Sequence, residues 1–164
     1  MLVGFFLILH KPLEMGIEKE INQLVFRNNA QKATVNFIYT YNWLSEKMKL
    51  VFDREGITQQ QFNILRILRG AGKPISTLEI RKRMLDKMSD TSRIVDRLVI
   101  KDLVEKNTCP KDKRLVDVSI TANGKHLLEK IDSYDNEMDA LLDNLEETEI
   151  TQLNELLDKI REGK

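Results

Sequence analysis

Between Ser89 and Arg97 the chain sets short polar side chains, Ser89, Asp90, Thr91 and Ser92, ahead of two guanidiniums, Arg93 and Arg97. At about 100° per residue on a helix, Ser89, Ser92, Arg93, Asp96 and Arg97 face one way. Thr91, Ile94, Val95 and Leu98 face the other. Hydroxyls donate or accept, and a guanidinium offers a planar fork of donors. No base stands beside a nucleophile here, so the chemistry is recognition and not catalysis. Short residues at a helix start reach base edges in a groove about 12 Å wide, and the helix N-terminus favours a phosphate. Asp96 would repel phosphate and is expected to orient Arg93 or Arg97. The competing reading is an ordinary amphipathic helix laced with charge pairs.

A second cluster, Lys111, Asp112, Lys113 and Arg114, lies between two strand-like runs, Leu103–Thr108 and Leu115–Ile120. Val116, Val118 and Ile120 alternate with Asp117 and Ser119, the period of a half-buried strand. A hairpin with a cationic tip suits phosphate contact. Ser76 and Thr77 open a further short helix upstream and add two hydroxyls to the candidate surface.

Other chemistries find little support. His10, His126 and the single cysteine, Cys109, have no metal-ligand spacing, and no metal or other cofactor is expected. There is no nucleophile–base constellation and no phosphate-cradling glycine loop, so the chain is not read as an enzyme. One cysteine suits a reducing compartment, and a cytoplasmic, nucleoid-associated protein is expected. The opening MLVGFFLIL is far short of the about 20 residues a membrane helix needs. Residues 1–16 are read as an apolar extension, an accessory arm or a segment upstream of the functional start.

The formal net charge is zero, but its distribution is uneven. Residues 66–116 hold 14 Lys and Arg against 7 Asp and Glu, a local +7, whereas residues 117–164 hold 5 against 13, or −8. A basic middle before an acidic tail fits a nucleic-acid-binding face.

The elements that must position these groups follow from periodicity. Apolar spacing predicts one long helix over Ile17–Phe52, with a break near Asn28–Asn29 and a stop at Gly56. Thr58 and Gln61 form a capping box for a second helix, which Gly70 and Gly72 end. Ser76 and Glu79 form another for a short helix over 77–84. Ser89 is expected to cap a fourth helix reaching about Lys101. After the hairpin, Thr121 caps a fifth helix, ANGKHLLEKIDSYDNEMDALLDNL. A sixth carries Ile150, Leu153, Leu156, Leu157 and Ile160 along one stripe. The fold class is thus mostly α with a small β-hairpin (α+β), centred on a winged helix-turn-helix.

In order and spacing, SDTSRIVDRLVIKDLVEKNTCPKDKRLVDVSITANGKHLL, Ser89–Leu128, resembles the MarR family of bacterial transcription regulators. ITQQQFNILRIL, Ile57–Leu68, resembles that family's second helix. One departure is Asp102, where the family usually has a left-handed Gly. The resemblance implies a homodimer built from the first, fifth and sixth helices, with the Ile150–Ile160 stripe in its interface. It implies a pseudo-palindromic double-stranded DNA operator and, most often, a repressor. It makes Arg114 the wing's groove or backbone contact, Asp112 the residue that holds it, and Lys111 and Lys113 phosphate contacts. It also implies a small aromatic or anionic effector, for which Tyr39 and Trp43 are candidate lining residues, with core or dimer packing as the alternative. Relatives that sense oxidants place their cysteine on the first helix, which Cys109 does not match. The expected organisation is 17–56 for dimerisation, 57–121 for the winged domain (helix-turn-helix about 76–101, wing about 103–120) and 122–164 for dimerisation again. A winged-helix protein-interaction module without specific DNA binding is the alternative.

Overall fold

The computed structural model describes residues 16–108 and 116–162. It divides into a unit ending at Leu44 and a second beginning at Ser45.

In the first unit, α1 (Ile17–Glu20) is a single turn, and α2 (Asn29–Arg54) starts only after residues 21–28. The interruption is longer than the break expected near Asn28–Asn29. Asn22 adopts φ 51°, a left-handed conformation that asparagine tolerates. The Asn28 side chain then accepts from the Gln31 backbone N at 2.8 Å, satisfying an orphan donor at the start of α2. Within this unit Glu18 pairs with Lys32, and the Tyr39 hydroxyl donates to Glu20 Oε2 at 2.9 Å.

The second unit takes in the end of α2, where Val51 and Phe52 are buried. It continues with α3 (Gln59–Ala71), β1 (Ile75–Ser76), α4 (Thr77–Arg83), α5 (Thr91–Ile100), β2 (Val104–Thr108), β3 (Val116–Ile120), α6 (Ala122–Asp132), α7 (Asp135–Asp139), a 3-10 turn (Ala140–Leu142) and α8 (Glu147–Arg161). Both halves of the Thr58–Gln61 capping box are formed. Gly72 ends α3 at φ 63°, while Gly70 lies inside the helix and does not end it. At α4 only half of the expected box exists. The Ser76 hydroxyl accepts from the Glu79 backbone, but the Glu79 carboxylate turns to Arg83, which pairs with it at 2.9 Å.

The sheet is antiparallel in the order β1-β3-β2, with Ile75 opposite Val118 and Val104 opposite Ile120. The two-residue β1 is too short to show a period. The long fifth helix expected from the sequence is broken at Ser133–Tyr134. The Ser133 hydroxyl donates to the Lys130 carbonyl at 2.6 Å and competes with the helix ladder. The Tyr134 hydroxyl is drawn to Glu55 at 2.8 Å.

Ile64, Leu65 and Leu68 of α3 sit at the centre of the core, with Val95 and Leu98 of α5, Val118 of β3 and Leu128 of α6 closing around them. Burying each such side chain is worth about 1.5–3 kcal/mol. Phe52 and Phe62 join this core as a tilted pair, ring centroids 4.7 Å apart. Gly124 permits α6 to start against the α5–β2 corner, since a Cβ there would lie 2.2 Å from the Leu103 carbonyl oxygen. α8 has no buried residue: Ile150 and Leu157 are half-buried, and Leu153, Leu156 and Ile160 are exposed.

Candidate nucleic-acid interface

The outer face of α5 is set by its inner one. Thr91, Val95 and Leu98 are buried, so Ser92, Arg93, Asp96 and Arg97 are exposed, as their spacing required. Thr91, a candidate contact by its place at the helix start, is only 4% exposed and belongs to the inner face. Its hydroxyl is buried without a hydrogen-bond partner among the described residues.

The helix start differs from expectation by one residue. Asp90, not Ser89, is the cap: its Oδ1 accepts from the Arg93 backbone N at 3.1 Å. Ser89 instead donates its hydroxyl to Asp86 Oδ2 at 2.6 Å, and Asp86 Oδ1 accepts from the Met88 backbone N at 3.0 Å. The Ser89 hydroxyl and the Met88 amide hold the Asp86 carboxyl below its ordinary pKa. The Asp86–Asp90 turn thus aims the start of α5. Asp86 was missed because its signal is a local side-chain turn, which periodicity does not register.

Thr77 joins this surface across a groove of about 470 Å³ between α4 and the start of α5. Leu78, Arg81, Met88, Ser89 and Ser92 share its walls. Leu78 is 60% exposed and Met88 93%. Arg81, Leu78 and Met88 were not candidates from the sequence; an exposed apolar pair beside hydroxyls shows only once α4 and α5 are placed together. Ser76 is half-buried and committed to capping α4.

Asp96 does not serve either arginine. It pairs with Lys106 of β2, which runs close beside α5. Lys101 at the end of α5 donates to the Gly56 carbonyl at 2.6 Å. Asp102 takes φ 55°, the left-handed position expected for it. Its side chain accepts from Asn123 at 2.7 Å and its carbonyl from the Thr121 hydroxyl at 2.8 Å. The α5–β2 corner is therefore held by side chains where a glycine would supply only freedom.

The β2–β3 ladder is in register from Val104–Ile120 to Thr108–Val116. Lys111, Asp112, Lys113, Arg114 and Cys109 lie outside the described residues. Tyr39 and Trp43 do share a pocket, with Ile17, Glu20, Asn36 and Thr40 of the first unit. Donation to Glu20 pushes the Tyr39 phenol up. Among the described residues no three potential ligands gather to hold a metal ion, and no helix is long and apolar enough to cross a membrane.

Helix, connecting turn over residues 84–90, a second helix with an exposed polar face and a following antiparallel ladder make the second unit a winged helix-turn-helix. The MarR family model matches residues 57–116. The multiple antibiotic resistance protein MarR of Salmonella typhimurium is 33% identical over 106 residues, covering 63% of this chain and 73% of that protein. A crystal structure of a mutant E. coli MarR complexed with operator DNA superposes with a TM-score of 0.69 at 29% identity, over 76% of this chain and 90% of that one. Bordetella bronchiseptica BpsR, at 19% identity, shares the fold with a TM-score of 0.75, over 85% of this chain and all of that one. The chain belongs to the MarR family of transcriptional regulators.

Proposed function

We propose that this protein binds a pseudo-palindromic double-stranded operator as a homodimer, represses transcription from it and releases it on binding a small effector. The observation that carries the reading is the exposed Ser92–Arg93–Arg97 face of α5, mounted on buried Val95 and Leu98. A rigid inner face keeps the outer side chains in register with base edges, where arginine pairs bidentately with guanine. Met88 and Leu78 offer apolar contact to thymine methyl groups at the groove rim. Lys111, Lys113 and Arg114 are assigned to phosphate and minor-groove contacts, with Asp112 holding Arg114.

The dimer reading is supported by α8, whose Leu153, Leu156 and Ile160 stay exposed in the single chain. A second copy covering them would place two α5 helices on half-sites about one helical turn apart. The protein would act in the cytoplasm, where its operator lies. Selection of bound sequences from a random duplex pool tests the reading. It should return an inverted repeat, and recovery of unrelated sequences would contradict it.

A further inference from the structure

We infer that the pocket formed by α1 and the first half of α2 binds a small organic ammonium, not an anion. The pocket holds about 350 Å³, within the range of small-ligand sites. Glu20 is the one charged residue among the described residues that line it. Among the described residues no lysine or arginine lines it, and Lys32 is engaged by Glu18. Tyr39 and Trp43 bring two aromatic rings to the same walls, with Asn36 and Thr40 as neutral polar groups and Ile17 as an apolar one.

That set has a definite charge preference. Ring faces carry negative potential and attract a cation within about 6 Å of the centroid. The Tyr39 hydroxyl already donates to Glu20, so it is not free to offer that hydrogen to an anion. An anionic ligand would meet a carboxylate and two electron-rich faces, with no cation among the described lining residues to offset them. An ammonium on an apolar body meets a carboxylate, two rings and Ile17. The inference refines the effector part of the proposed function, and reverses the charge expected for a ligand at Tyr39 and Trp43.

Trp43 is the only tryptophan in the chain, so its fluorescence reports on this pocket alone. Full-length protein is titrated with benzyltrimethylammonium, benzyl alcohol and benzoate. A saturable change with the ammonium is expected, at least tenfold tighter than with the neutral or anionic analogue. Glu20→Gln should weaken the ammonium at least tenfold and leave circular dichroism unchanged. Asp53→Asn, which removes an exposed carboxylate of α2 outside the pocket, should preserve the discrimination. Equal binding of benzoate, no saturable response, no effect of Glu20→Gln, or an equal loss in both variants would overturn the inference. The titration uses no DNA, so its failure leaves the DNA-binding reading standing, and failure of DNA binding leaves the pocket's charge preference standing.

Discussion

Lys106 of β2 is ion-paired with Asp96 on the exposed side of α5, so the strand leading into the wing is tied to that helix. Both partners are solvent-accessible, and exposed pairs contribute only about 0–1 kcal/mol. The tie therefore sets geometry more than stability. Asp96→Asn should shift the unfolding midpoint little. It should tighten binding to random duplex, because a charge that repels phosphate is gone and Lys106 is released to reach the backbone. Titration of random and selected DNA at one salt concentration checks this. A large loss of thermal stability would place the pair in the folding energetics instead.

Thr91 holds a buried hydroxyl with no partner among the described residues. An unmade buried hydrogen bond costs about 1–3 kcal/mol. Thr91→Val keeps the branched shape and removes the polar atom. It should stabilise the protein by about 1 kcal/mol in denaturant unfolding, with operator affinity unchanged. A marked drop in affinity would return Thr91 to the DNA-contacting surface.

Gly124 has no room for a methyl group, since both the Leu103 carbonyl and Ile120 Cγ1 lie within 3 Å of its Cβ position. Overpacking typically costs about 1–3 kcal/mol, and backbone on one side puts Gly124→Ala at the upper end. Chemical denaturation reads the change directly. An unaltered midpoint would mean that the α5–β2 corner yields easily.

Acid should weaken the junction between the end of α2, α3 and α6. Hydrogen bonding and pairing with Lys130 hold the Glu55 carboxyl below its ordinary value, with Tyr134 also donating to it. Arg69 does the same for Asp132. A carboxyl with a depressed folded-state pKa stabilises the fold above its unfolded value, about 4. That contribution fades as pH falls through the folded value. Glu55→Gln should therefore lower stability at pH 7 and flatten its decline in acid. An acid limb as steep as that of the parent protein would show that this junction does not set it.

The helix-turn-helix was legible because it rests on periodic burial: Val95 and Leu98 inward forces Arg93 and Arg97 outward. The β2–β3 pairing was legible too, but the expected alternation along β3 holds only at Val118; Val116 is exposed and Asp117, Ser119 and Ile120 are all half-buried. What escaped the sequence was short-range side-chain competition. Ser133 reached back to its own helix and broke it, Asp86 captured Ser89 and left Asp90 to cap, and Glu79 chose Arg83 over its box. Asp96 found Lys106 for a related reason: its partner came from a strand whose distance no helical wheel contains. The Tyr39–Trp43 grouping was legible, but the charge of its pocket was not. Glu20 reaches it only because the chain folds back over residues 21–28.

The central claim is that the exposed face of α5 reads base sequence. Competition binding at fixed salt, comparing the selected operator with random duplex, tests it most directly on Arg93→Ala. The protein should lose about 1–3 kcal/mol of operator affinity, as expected for a true base contact, with relaxed preference at one position of each half-site. Equal weakening on operator and random DNA would contradict the claim and leave α5 as a phosphate-binding helix only.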